Sequence, residues 1–274
     1  MGDRPRPSCS SSSSIRNRFA PRTRTSTRDE DDTENEISLS RKPHSLNAPS
    51  HPMRTIWLIR HAESRSNAGE ITDLPHSIAL TALGHRQALE LADEFPRAPD
   101  LIVVSRYLRT VETARPTMQR FPGAPVVEWP IHEFTFLAPA HYRGTTQDSR
   151  RAPALAYWDR GEPQSRDGED AESFNEFMAR IRDCLDRLRN SAEEFIAVFT
   201  HGYVIKAILW ECLYCGDRTP SAFMAGFHRF HLSYPVENGM IVRMLADEHG
   251  QLFIGSVTAS LQRKGLLALR GEMD

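Results

Sequence analysis

Cysteine is scarce in this chain. Four in 274 residues, Cys9, Cys184, Cys212 and Cys215, are too few for a disulfide scaffold, and a reducing compartment is the expected setting. Surplus charge is missing too, with a formal net charge of −2. A balance this even lacks the basic excess that nucleic acid or an anionic membrane face selects. No long apolar run is present either. The nearest approach, EFIAVFTHGYVIKAILWECLY at 194–214, has His201, Gly202, Lys206 and Glu211 inside it. That argues against a lipid-spanning helix and for a strand, a turn and a helix. No apolar h-region opens the sequence, so a cytoplasmic protein is expected, not a secreted one. There is no internal repeat.

Apolar residues are thinnest before Met53. Residues 1–52 hold SCSSSSS, a scatter of arginines and prolines, and then DEDDTENE. Such a stretch cannot bury enough surface to offset its ordering entropy, so it reads as a disordered low-complexity tail. It is taken as dispensable, or as lying upstream of a start at Met53. Residues 53–274 are then one folded domain.

What is present in that domain is a set of short apolar runs bounded by polar turns: 55–60, 101–105, 126–128 and 195–200. Continuous runs of this length fit strands buried on both faces. Helical spacing fills the intervals. Thr81 caps a helix over ALGHRQALELADEF, with Leu83, Ala88, Leu91, Ala92 and Phe95 on one face. A second covers 106–120. In SFNEFMARIRDCLDRLR, Ser173 and Glu176 form a capping box ahead of Phe174, Phe177, Met178, Ile181, Leu185 and Leu188. A fourth runs from about 203 to 214. Segments 227–233, 239–245 and 251–257 read as further strands, and 129–172 reads as loop. Alternating strands and helices predict an α/β fold with a mostly parallel sheet covered on both sides, and ligands bind such sheets at the carboxyl ends of the strands.

Four pieces fall at those ends: Arg60-His61-x-Glu63 with Asn67, Arg109 in SRYLRTVETA, Glu133 in PIHEFTFL, and His201-Gly202 opening a helix. Together they suit a phosphoryl group. Arg60 and Arg109 offer planar forks for its oxygens. The helix start after Gly202 offers backbone N–H groups and a positive dipole end. Neutral imidazole is a competent nucleophile near pH 7. A carboxylic acid such as Glu133 can protonate a leaving alkoxide if burial raises its pKa. Such a site needs no metal and no cofactor. Glu128, Asp148 and Glu172 compete with Glu133 for the acid role. His141, Tyr142 and Arg143 are candidates for the pocket wall. Glu63 reads as structural, and Cys212 and Cys215 as packing residues.

LIRHAESRSN, LTALGHRQA, SRYLRTVETA and FTHGYVIKAIL, in that order over about 54–245, resemble the histidine phosphatase superfamily with its phosphoglycerate mutase-like fold. The resemblance implies a three-layer α/β/α sandwich. It implies His61 as the phosphorylated nucleophile, Glu133 as proton donor, and Arg60, Asn67, Arg109 and His201 around the phosphoryl group of a small phosphorylated metabolite. FTFLAPAHYRG, after Glu133, lacks the Glu-Arg-His-Tyr-Gly type of run found in cofactor-dependent mutases. That shifts the expectation from mutase to phosphatase. Two other classes compete: a non-catalytic domain that binds phosphorylated ligands, and a zinc deaminase, whose His-x-Glu and Cys-x-x-Cys elements His61, Glu63, Cys212 and Cys215 echo without the spacing.

Overall fold

A strand that meets helices on both sides needs apolar residues at every position, not at every second one. In the structure, a computed structural model that describes residues 53–258, Arg54–Arg60 is such a strand, β1, with Ile56 to Ile59 all buried. The expectations for 1–52 and for Cys9 lie outside the described residues. Three further strands join β1 in parallel: β2 (Leu101–Val104), β3 (Val126–Glu128) and β4 (Phe195–Thr200). Two later ones, β5 (Ile241–Ala246) and β6 (Leu252–Val257), run antiparallel at the opposite edge. The order is β3-β2-β4-β1-β5-β6.

Six helices accompany the sheet among the described residues: α1 (Ala82–Asp93), α2 (Leu108–Arg120), α3 (Arg151–Arg160), α4 (Phe174–Arg189), α5 (Gly202–Leu213) and α6 (Pro220–Ser233). Strand side chains alternate between two cores. Ile56, Leu58, Val103, Ile196, Val198 and Met244 join one with Phe177 and Ile181 of α4, Ile208 of α5 and Phe227 of α6. Trp57, Ile59, Ile102, Val104 and Phe199 join the other with Leu91 of α1, Phe95 just past it, and Ala114 of α2. The result is the three-layer α/β/α sandwich with a mostly parallel central sheet. Each fully buried Leu, Ile or Phe contributes ~1.5–3 kcal/mol before ordering costs, so these two cores outweigh the exposed ion pairs at ~0–1 kcal/mol each.

The local signals for α1 and α4 have direct counterparts. Thr81 accepts the Gly84 N–H at 3.0 Å and so caps α1. The reciprocal box of Ser173 and Glu176 starts α4. Three expectations fail. Residues 227–233 belong to helix α6, where Phe227 and Phe230 sit at helical spacing after Pro220 in the first turn. The supposed loop 129–172 contains α3, which ends at Gly161 in the left-handed conformation with φ 62. Leu83 is exposed, and the buried face of α1 instead includes Gln87.

Candidate active site

β1 and β4 end in register. Arg60 pairs with Thr200, so the next residues, His61 and His201, leave the sheet side by side at its carboxyl edge. Both side chains are buried, with ring centroids 5.2 Å apart at 61°.

The environment of His61 fixes its proton. Its Nδ1 lies 2.8 Å from the Ala62 carbonyl oxygen. A carbonyl can only accept, so the neutral ring carries its hydrogen on Nδ1 and keeps a lone pair on Nε2. Arg109 Nε donates to that Nε2 at 3.1 Å. Burial first, then Arg109 and Arg60, hold the pKa of His61 well below its ordinary value. The ring is therefore an unprotonated base at neutral pH.

The turn that carries it is tied down on every side. Thr113 Oγ1 accepts the Ala62 N–H at 3.0 Å, and Gln87 Oε1 accepts the Glu63 N–H at 2.9 Å. Asn238 Nδ2 donates to the carbonyls of His61 and Ala62 at 3.0 and 3.2 Å, and to Asn67 Oδ1 at 3.1 Å. Glu63 Oε1 accepts from the Thr81 hydroxyl at 2.7 Å, so its carboxyl joins the turn to α1, in keeping with a structural reading. Asn67 Oδ1 also accepts from Ser64 Oγ at 2.8 Å.

Two guanidiniums flank His61. Arg109, in the first turn of α2, donates from Nη1 to the Pro75 carbonyl at 2.7 Å and stacks over Tyr107 at 5.0 Å. Arg60 donates from Nη1 to the Val236 carbonyl at 2.5 Å, and its buried Nε has no hydrogen-bond partner among the described residues. Glu133 sits opposite, half-buried. Its Oε1 accepts the Tyr203 N–H at 3.1 Å and the Phe134 N–H at 3.2 Å. Burial raises its pKa, against the pull of Arg109 and Arg60. One of the N–H groups at the start of α5 that the sequence offers to phosphate, that of Tyr203, is thus taken by Glu133.

Arg60, His61, Asn67, Arg109 and Glu133 line one cavity of about 540 Å³. His201 is placed against His61 but behind these residues, fully enclosed. Its Nε2 lies 2.9 Å from Ser105 Oγ, and its buried Nδ1 has no hydrogen-bond partner among the described residues. Among the competing acids, Glu128 is exposed and Glu172 pairs with Arg180 at 2.6 Å, both away from the lining; Asp148 lies on the exposed rim. Of the three pocket-wall candidates, Tyr142 lines the cavity under Arg150, while His141 pairs with Asp167 at 3.0 Å outside it and Arg143 is exposed. Cys212 packs on the larger core and Cys215 is exposed. Ser105 and Thr113 were within the quoted motif without being singled out. Asn238 had no local signal: it reaches His61 from 177 residues away.

No curated protein matches the sequence. A family model described as the histidine phosphatase superfamily (branch 1) matches residues 56–233. Among solved structures, the alpha-ribazole phosphatase of Shigella flexneri superposes with a TM-score of 0.58 at 20% identity, covering 75% of this chain and 96% of that one. A mycobacterial glucosyl-3-phosphoglycerate phosphatase gives 0.56 at 19%, covering 74% and 97%. The phosphoserine phosphatase of Entamoeba histolytica in complex with 3-phosphoglyceric acid gives 0.56 at 21%, covering 76% and 98%.

Proposed function

We propose, from the premise that this chain belongs to the histidine phosphatase superfamily and is a phosphatase, that it hydrolyses a small phosphomonoester through a phosphohistidine on His61. The observation that carries the reading is the tautomer. The Ala62 carbonyl holds the hydrogen on Nδ1, so Nε2 presents its lone pair toward Arg109 and the cavity. The incoming phosphoryl group takes the place of the Arg109–His61 contact. Nε2 attacks phosphorus, the P–O ester bond breaks, and the departing oxygen takes the proton of the Glu133 carboxyl. Water then adds to phosphorus with Glu133 as base, the N–P bond breaks, and inorganic phosphate leaves.

Arg60 and Arg109 match the charge on the phosphoryl oxygens. Asn67 closes the same end of the cavity. His201 stands behind the His61 ring, where its Nε2 meets Ser105 Oγ, which also accepts the Tyr107 N–H.

Stopped-flow mixing with an aryl phosphate and an alkaline quench, which spares an N–P bond, tests the intermediate. The expected result is label on His61 in the wild type and none in His61→Ala, with turnover reduced roughly 10³-fold or more. Wild-type turnover by His61→Ala would overturn the mechanism.

A further inference from the structure

The chemistry at His61 leaves half of the cavity unassigned. Three helix faces build that half. α3 brings Trp158, α5 brings Tyr203 and Lys206 one turn apart, and α6 brings His228 and His231. The rings are stacked in pairs, Trp158 on His228 at 4.6 Å and Tyr203 on His231 at 4.1 Å, which gives the wall a fixed shape.

Lys206 is the half-buried charged group in this wall, whereas Arg151 at the start of α3 is exposed. The Lys206 ammonium donates to the His231 carbonyl at 2.9 Å and lies 3.3 Å from His231 Nδ1. An ammonium has no lone pair, so Nδ1 is the acceptor and the neutral ring carries its hydrogen on Nε2. Burial and the neighbouring Lys206 lower the pKa of His231 to about 3, which keeps it neutral. Two of the three ammonium hydrogens are thereby used. Among the described residues Lys206 makes no ion pair.

It is a half-buried cation, and the carboxyl that acts on it, Glu133, also faces Arg60 and Arg109. Burial and Arg60 lower the pKa of Lys206 to about 8, so it still carries charge at pH 7. Removing an ammonium from water next to a guanidinium is unfavourable unless negative charge is supplied. A bound phosphoryl group would answer Arg60 and Arg109 beside His61. Lys206 would remain.

We propose that Lys206 and His231 form a second anion subsite, which holds a carboxylate on the leaving-group side of the substrate. The proposal rests on the phosphatase reading and narrows it to phosphomonoesters of carboxylic acids. One cationic N–H and one imidazole N–H match the two oxygens and single charge of a carboxylate. A second phosphoryl group, with three oxygens and nearly two charges, asks for more donors than Lys206 and His231 offer.

Calorimetric titration of the full chain with three unreactive probes tests this: propylphosphonate, 3-phosphonopropionate and propane-1,3-bisphosphonate. The wild type should bind 3-phosphonopropionate about tenfold or more tightly than propylphosphonate, the size of one charge-assisted hydrogen bond. Lys206→Met should erase that preference. His231→Phe, which keeps a ring on Tyr203 but removes the N–H, should reduce it, and it serves if Lys206→Met does not fold. Equal binding of the two probes by the wild type, or a preference that survives in both variants, would overturn the subsite. So would a Lys206→Met variant that weakens both probes equally, the outcome for a lysine that merely joins α5 to α6. Tighter binding of the bisphosphonate than of 3-phosphonopropionate would overturn the carboxylate assignment. Aryl phosphate turnover by the wild type is measured alongside. A carboxylate preference without turnover would remove the hydrolytic reading and leave the subsite standing.

Discussion

A carboxyl group can protonate a leaving alkoxide only while it still holds its proton. Burial raises the pKa of Glu133, with Arg109 and Arg60 pulling the other way. Its acid form is therefore available below the raised pKa and is lost as pH climbs through it. Hydrolysis of alkyl phosphates, whose leaving groups need a proton, should fall along that limb. Nitrophenyl phosphate, whose leaving group does not, should lack it. Glu133→Gln should slow alkyl esters ~10²-fold or more while sparing the aryl ester and should abolish the alkyl limb. Equal losses on both esters would take Glu133 out of the acid role. The residues placed around this carboxyl differ in how far the sequence disclosed them. Arg60, His61, Arg109, Glu133 and His201 each follow or adjoin a strand end, so local pattern was enough to nominate them. The acid itself was nominated among four, because a segment with few regular elements gives no periodicity to orient a side chain. Asn238, which ties the carbonyls of His61 and Ala62 together, was illegible because its contact depends on the antiparallel strand β5 lying next to β1.

One element fixes the turn that carries His61 from outside the sheet. α1 approaches so closely that a methyl group on Gly84 would lie 2.0 Å from the Glu63 carbonyl oxygen. That same carbonyl accepts the Thr81 N–H at 3.0 Å, and Glu63 is two residues from His61. Glycine is demanded by backbone approach, not by backbone angle. Gly84→Ala should cost ~1–3 kcal/mol of stability, as other overpacked contacts do. It should also lower kcat, because the turn must shift. Urea midpoints and kcat measured together check this, and a variant with wild-type values for both would show that the turn can give way freely. Elements with strong, one-sided patterns were legible in the sequence: α4 with its capping box, and the apolar β1 and β4. α6 was not, since Phe227, Phe230 and Leu232 make a short apolar cluster without the long one-sided repeat of α4. α3 was not, since Tyr157 and Trp158 are its two buried residues and such a helix has almost no apolar face to detect. These two helices supply most of the far wall of the cavity, so the part of the fold hardest to read is the part that carries the proposed carboxylate subsite.

At the scale of the whole molecule, five histidines among the described residues are biased toward the neutral state. His61, His132, His201, His228 and His231 all have pKa values lowered by burial first, to about 3 for His132 and His231. In an unfolded chain each would titrate near 6.5. Below that value the unfolded state binds protons that the folded state refuses, so stability falls as pH falls. Each such group contributes up to ~1.4 kcal/mol per pH unit to the slope. Glu133 acts in the opposite sense: the fold keeps a proton that the unfolded chain releases above the ordinary carboxyl range, so its contribution fades as pH rises. Between pH 6.5 and 5 the histidines outnumber it. Urea unfolding at pH 8, 7, 6 and 5 should give a nearly level stability from 8 to 7 and a steepening loss from 6 to 5. The loss should be partly relieved by His132→Phe, which removes one protonation site outside the phosphoryl machinery. A stability that held level down to pH 5 would mean that these imidazoles accept protons inside the fold. The unprotonated nucleophile assigned to His61 would then lose its physical basis.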